Sequence, residues 1–375
     1  MFIKGVGMTK FGISDKFSVQ LAYEATQEAL KDADINFNEI DAVVCTTLEW
    51  FFSIEKQRHF AAMLSSMFKT NKPIIRVPGA CAGGGTALWT ANQLGFNNVL
   101  VVGVEKLMTG KTESITEEFM MAAENKWEQP EGLTFPAQNA IVTQEYMKKY
   151  PETTSEHLAQ IAFKNHNNGS LNPKARFYGT KVTMEQIRNS PVICSPLRLY
   201  DCSISVDGAA ACVLTKDKTD IKIAGSDLCT DYLPTWERKE STLWDGSLIT
   251  SKKAYEQAGV GPEDIDIAEL HDAFTSVELI SYEHLGFAKP GQAYKKIEEG
   301  YFNLDGKLPV NASGGLKAKG HPVSATGLAQ IYELTKQLRG QAGDRQVSNP
   351  KIALAHNIGG AGGTIVCHIL KKISG

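Results

Sequence analysis

Long apolar runs, a leader-like N-terminus and an excess of charge of either sign are all missing from this sequence of 375 residues. Because no apolar run approaches the roughly 20 residues that a transmembrane helix needs, we expect no membrane partner. The N-terminus lacks a charged region followed by an apolar stretch and a cleavage site, which predicts a cytoplasmic protein. The 39 basic and 42 acidic residues nearly cancel, so the basic footprint of a dedicated nucleic-acid-binding protein is missing as well.

Several catalytic and metal-binding motifs are also missing. The seven cysteines are scattered without a Cys-x-x-Cys pair, which disfavours a disulfide framework and a structural metal site. Neither Gly-x-Ser-x-Gly nor His-Glu-x-x-His occurs, which weakens serine hydrolase and zinc protease interpretations. Gly315 and Gly320 have the spacing of a phosphate-binding loop, but His321 stands where such a loop needs Lys. Nucleotide hydrolysis is therefore disfavoured.

What the sequence does have is an alternation of helical and strand patterns. The segment Ser18–Asp32 carries apolar residues at helical spacing, and a turn leads from it into the apolar strand Ala42–Thr46. The same alternation continues along most of the chain, which predicts an α/β protein. At roughly 150 residues per domain, the length suggests two or three domains.

A short repeat divides the chain into two similar halves. The segment 29–41 aligns without a gap with the segment 254–266, and each copy is followed by a strand, a glycine-rich turn, a helix and another strand. A chance match is the alternative, but the shared order of elements favours an internal repeat.

The domain prediction follows from this repeat. We expect an N-terminal half at 1–110, completed by 197–217, and a C-terminal half at 218–375. The intervening residues 111–196 are more polar and mostly helical in pattern, which indicates an inserted region that lies over the sheet.

Cys81 is a candidate nucleophile because it lies between a predicted strand and a predicted helix, among small residues. The amides and dipole at a helix N-terminus favour a thiolate, so we expect a lowered thiol pKa. The small neighbours leave room for an acyl group, and the amide of Cys81 could donate to an oxyanion. The alternative is a core cysteine in a tight turn.

Two histidines are candidate bases for this cysteine. His321 lies in a Gly-His-Pro turn, in the counterpart of the Cys81 region in the second half. His271 follows the predicted strand 266–270, and the carboxyl ends of parallel strands are where sites form in α/β folds. Hydrogen-bonded loop histidines are the alternative for both.

Four stretches together resemble the thiolase family over essentially the whole chain: Pro78–Gly85, His271–Phe274, Asn311–Pro322 and Asn357–Gly363. The similarity is greatest to archaeal acetyl-CoA acetyltransferases and sterol-carrier-protein-type thiolases. The resemblance implies two pseudo-symmetric βαβαβαββ halves that form a layered α/β/α/β/α core with an inserted loop domain. It also implies a homodimer or a dimer of dimers.

The resemblance implies roles for individual residues. Cys81 would take the acyl group, and His321 would be the base that activates it. His271 stands where common thiolases have Asn, and it would help to form one oxyanion hole. The backbone amides of Cys81 and Gly359 would form a second oxyanion hole.

One position departs from the family pattern. Common thiolases have a second catalytic cysteine where this chain has Asn357, and an amide cannot take a proton from the α-carbon of acetyl-CoA. His271 or His356 could supply the missing acid or base, and His271 is preferred because its whole motif matches. The residues that contact coenzyme A are not identified, and Lys317 and Lys319 are expected in a solvated turn.

The expected function is therefore an acyl-CoA thiolase that condenses two acetyl-CoA molecules to acetoacetyl-CoA and CoA, feeding the mevalonate pathway. Coenzyme A thioesters would be substrates, with no permanently bound cofactor and no metal. The resemblance also implies a complex in which an OB-fold, zinc-ribbon protein joins the chain to 3-hydroxy-3-methylglutaryl-CoA synthase. The alternatives are a decarboxylating or acyl-transfer condensing enzyme, and a thiolase-like scaffold subunit without catalysis.

Overall fold

The computed structural model describes residues 1–48, 55–108 and 112–373. Its strands are β1 (Phe2–Met8), β2 (Ala42–Thr46), β3 (Ile74–Arg76), β4 (Asn98–Glu105), β5 (Val192–Cys194), β6 (Leu197–Arg198), β7 (Gly208–Thr215), β8 (Ile221–Thr230), β9 (Ile267–Glu269), β10 (Ile352–Gly359) and β11 (Thr364–Lys372). Its helices are α1 (Ser18–Asp32), α2 (Phe60–Phe68), α3 (Gly83–Gln93), α4 (Thr112–Met120), α5 (Phe135–Lys149), α6 (Ser155–Ser170), α7 (Met184–Arg188), α8 (Asp245–Ala258), α9 (Thr275–His284), α10 (Ala293–Glu298), α11 (Gly315–Ala318) and α12 (Thr326–Arg339).

The first helix and strand follow directly from hydrophobic spacing. Helix α1 buries Leu21, Ala22, Ala25 and Ala29 on one face, at intervals of three and four residues. Strand β2 is buried at every position, as expected for a central parallel strand covered on both faces. Both elements have the predicted bounds.

The strand order shows the two halves. In the described residues one sheet runs β3-β2-β4-β7-β1-β8-β11-β10-β9. Counted outward from the centre, β1, β7, β4 and β2 correspond to β8, β11, β10 and β9, with the same parallel and antiparallel pairings. A parallel bridge between Ala268 and Val310 stands in the place of β3. The predicted pseudo-symmetric halves are therefore confirmed.

The helices form layers around the two halves of the sheet. Helix α1 packs on β1 and β7, and α8 packs on β8 and β11. Between them α3 and α12 pack against each other and against strands of both halves. A Cβ atom on Gly84 would lie 2.6 Å from the amide nitrogen of Leu328, so the two helices cross in close backbone contact near their N-terminal ends. The predicted α/β/α/β/α layering is confirmed.

The chain between β4 and β7 contains helices α4 to α7 and the β5–β6 hairpin. Helix α6 packs against α9, α10 and α11 of the second half. The predicted boundary at residues 110 and 111 lies outside the described residues, as do 374 and 375, so the division into domains stays a prediction. Within the described chain, the helices are too short or too polar to cross a membrane.

Candidate active site

Cys81 lies in a single 3-10 turn, Ala80–Ala82, between β3 and α3. Ala80 has a left-handed φ of 47°, a conformation that costs an alanine about 1–2 kcal/mol. Helix α3 begins at Gly83, two residues after Cys81. The cysteine is partly exposed and lines a cavity, so its thiol can meet a substrate.

The thiol is not a free thiolate. Burial raises the pKa of Cys81 to about 12, the backbone N–H of Gly360 acts in the opposite direction, and the nearby Glu105 raises it further. The expectation of a lowered pKa is therefore wrong, because loss of solvent outweighs the peptide dipoles at the turn. An acyl transfer from this thiol needs a base that removes its proton during attack.

His321 is held beside the thiol by its own backbone and by α12. Its backbone N–H donates to the Ile204 carbonyl at 2.8 Å, and its ring Nδ1 is hydrogen-bonded to Thr326 Oγ1 at 2.7 Å. Burial, and then the charge of Lys319, lower the pKa of His321 to about 3. The ring is therefore neutral at physiological pH and can accept a proton.

His271 completes a cluster of three potential donors. The Cys81 sulfur and one ring nitrogen each of His271 and His321 lie within 4.8 Å of one another. The two rings meet edge to face, with their centroids 5.5 Å apart. Burial, followed by the neighbouring His321, holds the pKa of His271 well below its usual range. A thiol with two imidazoles is also a set of ligands that zinc accepts.

Asn357 contacts two members of this cluster. Its Nδ2 donates to the Cys81 carbonyl at 3.0 Å and lies 3.2 Å from His271 Nδ1. Its Oδ1 accepts from the Gly85 amide at 3.2 Å. The residue that replaces the second cysteine of common thiolases therefore ties the nucleophile turn to His271.

The lysines expected in a solvated turn are buried, so that expectation is wrong. Lys317 Nζ donates to the Asp272 carbonyl at 2.6 Å and lies 3.5 Å from the Asp272 carboxylate. Lys319 Nζ donates to Ser313 Oγ at 2.8 Å and lies 3.4 Å from Glu269. Because a buried ammonium must be paired, these lysines hold the segment before His321 against the strand and loop that carry His271.

The cavity in front of Cys81 has a volume of about 400 Å³. Aromatic and aliphatic side chains from the inserted region and the second half line much of it: Phe119, Met120, Phe135, Val142, Trp244, Phe274 and Val277. Such a lining suits an acyl chain or the apolar part of a thioester substrate. Carboxylates are missing from the part of the lining that the structure describes.

Two of the sequence-derived candidates lie behind the cavity lining. His356 is fully buried and its Nε2 is hydrogen-bonded to Ser247 Oγ at 3.0 Å, away from the cavity. Gly359 packs against the nucleophile turn, where a Cβ atom would lie 2.4 Å from the Gly79 carbonyl. The next residue, Gly360, lines the cavity and donates its amide to the Cys81 sulfur.

Sequence reasoning missed Gly360 and Cys202. Cys202 also lines the cavity, and its backbone bridges to Phe274, the last residue of the His271–Phe274 stretch. The glycine run after Asn357 was a signal for Gly360, but the sequence carries no comparable signal for Cys202, because only the tertiary fold brings it to the cavity.

Comparisons with known proteins agree with this architecture. Residues 1–218 match the model of the thiolase N-terminal domain, and residues 234–372 match the thiolase C-terminal domain-like model. An acetyl-CoA acetyltransferase of Methanothermobacter thermautotrophicus is 38% identical, with 98% of each chain covered. Sterol carrier protein 2 of Bos taurus is 37% identical over 99% of this chain and 72% of its own length.

A solved structure described as the Ltp2-ChsH2(DUF35) aldolase superposes with a TM-score of 0.83 at 26% identity, covering 99% of this chain and 97% of the other. The family models span nearly the whole sequence, and the sheet order and the thiol–imidazole cluster fit the same fold. This chain belongs to the thiolase family of acyltransferases.

Proposed function

We propose that this protein is an acyl-CoA thiolase that condenses two acetyl-CoA molecules to acetoacetyl-CoA and CoA through an acetyl-Cys81 intermediate. The proposal rests on one observation: the Cys81 sulfur and one ring nitrogen each of His271 and His321 lie within 4.8 Å of one another at the wall of an apolar cavity. The similarity to archaeal acetyl-CoA acetyltransferases supports acetyl-CoA as the acyl donor.

In the first half-reaction the Cys81 thiol passes its proton to His321 as the sulfur attacks the thioester carbon. The tetrahedral oxyanion collapses, the bond from carbon to the coenzyme A sulfur breaks, and His321 returns the proton to the leaving thiolate. A base is needed because burial raises the pKa of Cys81 to about 12. A neutral His321 is suited to this task.

In the second half-reaction a second acetyl-CoA loses a proton from its α-carbon to a base in the cavity. The resulting electron pair forms a carbon–carbon bond to the acetyl group on Cys81, and the bond from that carbon to the Cys81 sulfur breaks. Acetoacetyl-CoA leaves, and the thiolate regains a proton. Both steps are nucleophilic catalysis with ping-pong kinetics.

A decarboxylating condensation is the second candidate. Asn357 stands where common thiolases have cysteine, and the described lining residues include no carboxylate. The cluster of Cys81, His271 and His321 therefore also suits a malonyl thioester, whose carbanion forms by loss of carbon dioxide. Turnover of malonyl-CoA with acetyl-CoA, without turnover of acetyl-CoA alone, would favour it.

The wider setting belongs to the same proposal. Acetoacetyl-CoA would feed the mevalonate pathway in the cytoplasm, and the protein would act as a homodimer or a dimer of dimers. An OB-fold, zinc-ribbon partner would join it to 3-hydroxy-3-methylglutaryl-CoA synthase; the solved neighbour described as the Ltp2-ChsH2(DUF35) aldolase supports a second protein as a partner.

Intact-protein mass spectrometry after incubation with acetyl-CoA tests the central step. We expect one added acetyl group on the parent chain, none on Cys81→Ala, and one on the matched control Cys202→Ala, because Cys202 is a second thiol of the same cavity. No adduct on the parent chain, with Cys81 also inert to iodoacetamide, would instead support a scaffold subunit. An adduct lost in Cys202→Ala would move the nucleophile to that residue.

A further inference from the structure

The Asn357 side chain sits in a slot built by two glycines. A Cβ atom on Gly85 would lie 3.1 Å from Asn357 Oδ1, and a Cβ atom on Gly327 would lie 2.3 Å from it. Asn357 is 1% exposed. The amide therefore has little freedom to turn or to exchange its partners with water.

Backbone groups determine which way this amide points. The Gly85 N–H is a donor and the Cys81 carbonyl is an acceptor, and neither role can change. The first contacts Oδ1 and the second contacts Nδ2. Reversing the amide would place an NH₂ group against an N–H and a carbonyl against a carbonyl, so both hydrogen bonds would be lost.

The same amide therefore determines the tautomer of His271. Asn357 Nδ2 is a donor and lies 3.2 Å from His271 Nδ1, so Nδ1 must be the nitrogen without hydrogen. Because the ring is buried and its pKa lies well below the usual range, it is neutral and carries its hydrogen on Nε2. A neutral ring with Nε2–H donates a hydrogen bond from that nitrogen and has no lone pair there to accept a proton or to bind a metal.

We propose that Asn357 is a positioning residue that fixes His271 as the Nε2–H tautomer, so that His271 is a permanent oxyanion donor and His321 is the proton acceptor in both half-reactions. The tautomer is inferred from the contacts alone, whereas the oxyanion and base roles rest on the proposed acyl-transfer function. Of the two roles that the sequence left open for His271, this selects the donor role.

His321 differs from His271 in the partner of its Nδ1 atom. This partner is the Thr326 hydroxyl, which can accept a hydrogen bond as well as donate one. His321 can therefore hold its hydrogen on Nδ1 and present a bare Nε2. In the condensation, the α-carbon of acetyl-CoA gives its proton to this nitrogen, the new carbon–carbon bond forms, and the released Cys81 thiolate takes the proton back.

The tautomer can be measured without any assay of activity. In protein labelled with ¹⁵N-histidine, long-range ¹H–¹⁵N correlation spectra distinguish Nε2–H from Nδ1–H rings, and the His271 signals are those that disappear in His271→Asn. We expect Nε2–H in the parent chain. In Asn357→Asp, whose carboxylate accepts but does not donate, we expect Nδ1–H at His271. Thr326→Val is the control: it should alter the signals of His321 and leave those of His271 unchanged.

A donor and a base also respond differently to substitution. His271→Asn keeps an N–H donor but cannot take a proton, whereas His271→Ala keeps neither. We expect the rate of acetyl-Cys81 formation to fall about 10²–10³-fold in His271→Ala and to stay within about 10-fold of the parent in His271→Asn.

The proposal is overturned by an Nδ1–H or a mixed tautomer in the parent chain, or by His271→Asn being as impaired as His271→Ala. Failure of the function is a separate result: the parent chain would show the Nε2–H tautomer but form no acetyl adduct. If Asn357→Asp does not fold, the spectrum of the parent chain and the two His271 variants still decide the question.

Discussion

Replacing Lys317 by Met should destabilise the protein far more than the loss of an ordinary surface ion pair. The side chains of Lys317 and Asp272 are both 0% exposed, and the ammonium also donates to the Asp272 carbonyl. In Lys317→Met the buried Asp272 carboxylate keeps hydrogen bonds from the Leu316 amide at 2.6 Å and from Asn165 Nδ2 at 2.8 Å. It loses the neighbouring positive charge of the Lys317 ammonium. Removing one member of a buried pair costs about 3–5 kcal/mol.

A matched control is available on the surface. Lys149 and Glu240 form an ion pair at 2.6 Å, and each side chain is 46% exposed. Lys149→Met should therefore cost about 0–1 kcal/mol. Denaturation by guanidinium chloride, followed by circular dichroism, gives the free energy of unfolding of the parent and of each variant.

The double variant Lys317→Met with Asp272→Asn tests the cause. If the loss comes from an uncompensated carboxylate, removing that charge should restore part of the stability, so the two changes together should cost less than their sum. Equal losses for Lys317→Met and Lys149→Met, or strict additivity in the double variant, would refute the reasoning.

Two further predictions concern packing and protonation. Gly327→Ala should cost about 1–3 kcal/mol in unfolding free energy, because its Cβ atom would lie 2.3 Å from both Asn357 Oδ1 and the Gly85 amide; Gly95→Ala, with nothing within 4 Å, should change it by less than about 1 kcal/mol, and similar losses in the two variants would contradict the close helix crossing. Burial, and then the charge of Lys317, lower the pKa of buried His166 to about 4. The unfolded state therefore binds a proton at His166 as the pH falls below about 6.5, whereas the folded state does not. As the pH falls from 6.5 to 4, the unfolding free energy of the parent chain should decrease by about 1.4 kcal/mol per pH unit relative to that of His166→Phe. Parallel curves of unfolding free energy against pH for the two proteins would argue against a neutral buried ring.

Local sequence patterns were sufficient to predict α1, β2 and the internal repeat. Apolar spacing alone predicts α1 and β2 with the bounds that the structure shows. The short match between 29–41 and 254–266 falls on the ends of α1 and α8 and the turns that lead into β2 and β9. These features depend on residues that are close in sequence, and so they can be read along the chain.

The environment of each charge depended on the tertiary structure. Nothing near Lys317 in the sequence distinguishes a solvated lysine from a buried one, because its partner Asp272 is 45 residues away. The same holds for the Cys81 thiol: the sequence shows the turn with its amides, but the burial that raises the pKa comes from the packing of both halves. Local dipoles were visible in the sequence, and desolvation was not.

The sequence by itself determined the family, the two-halved fold and the identities of Cys81, His271 and His321 as candidate catalytic residues. Only the tertiary structure decided how they are arranged. It brings Asn357 between Cys81 and His271, places His356 outside the cavity lining and turns Gly360 toward the thiol. The physical reason is that a residue type specifies which hydrogen bonds are possible, whereas the direction of each bond depends on partners that folding brings together from distant parts of the chain.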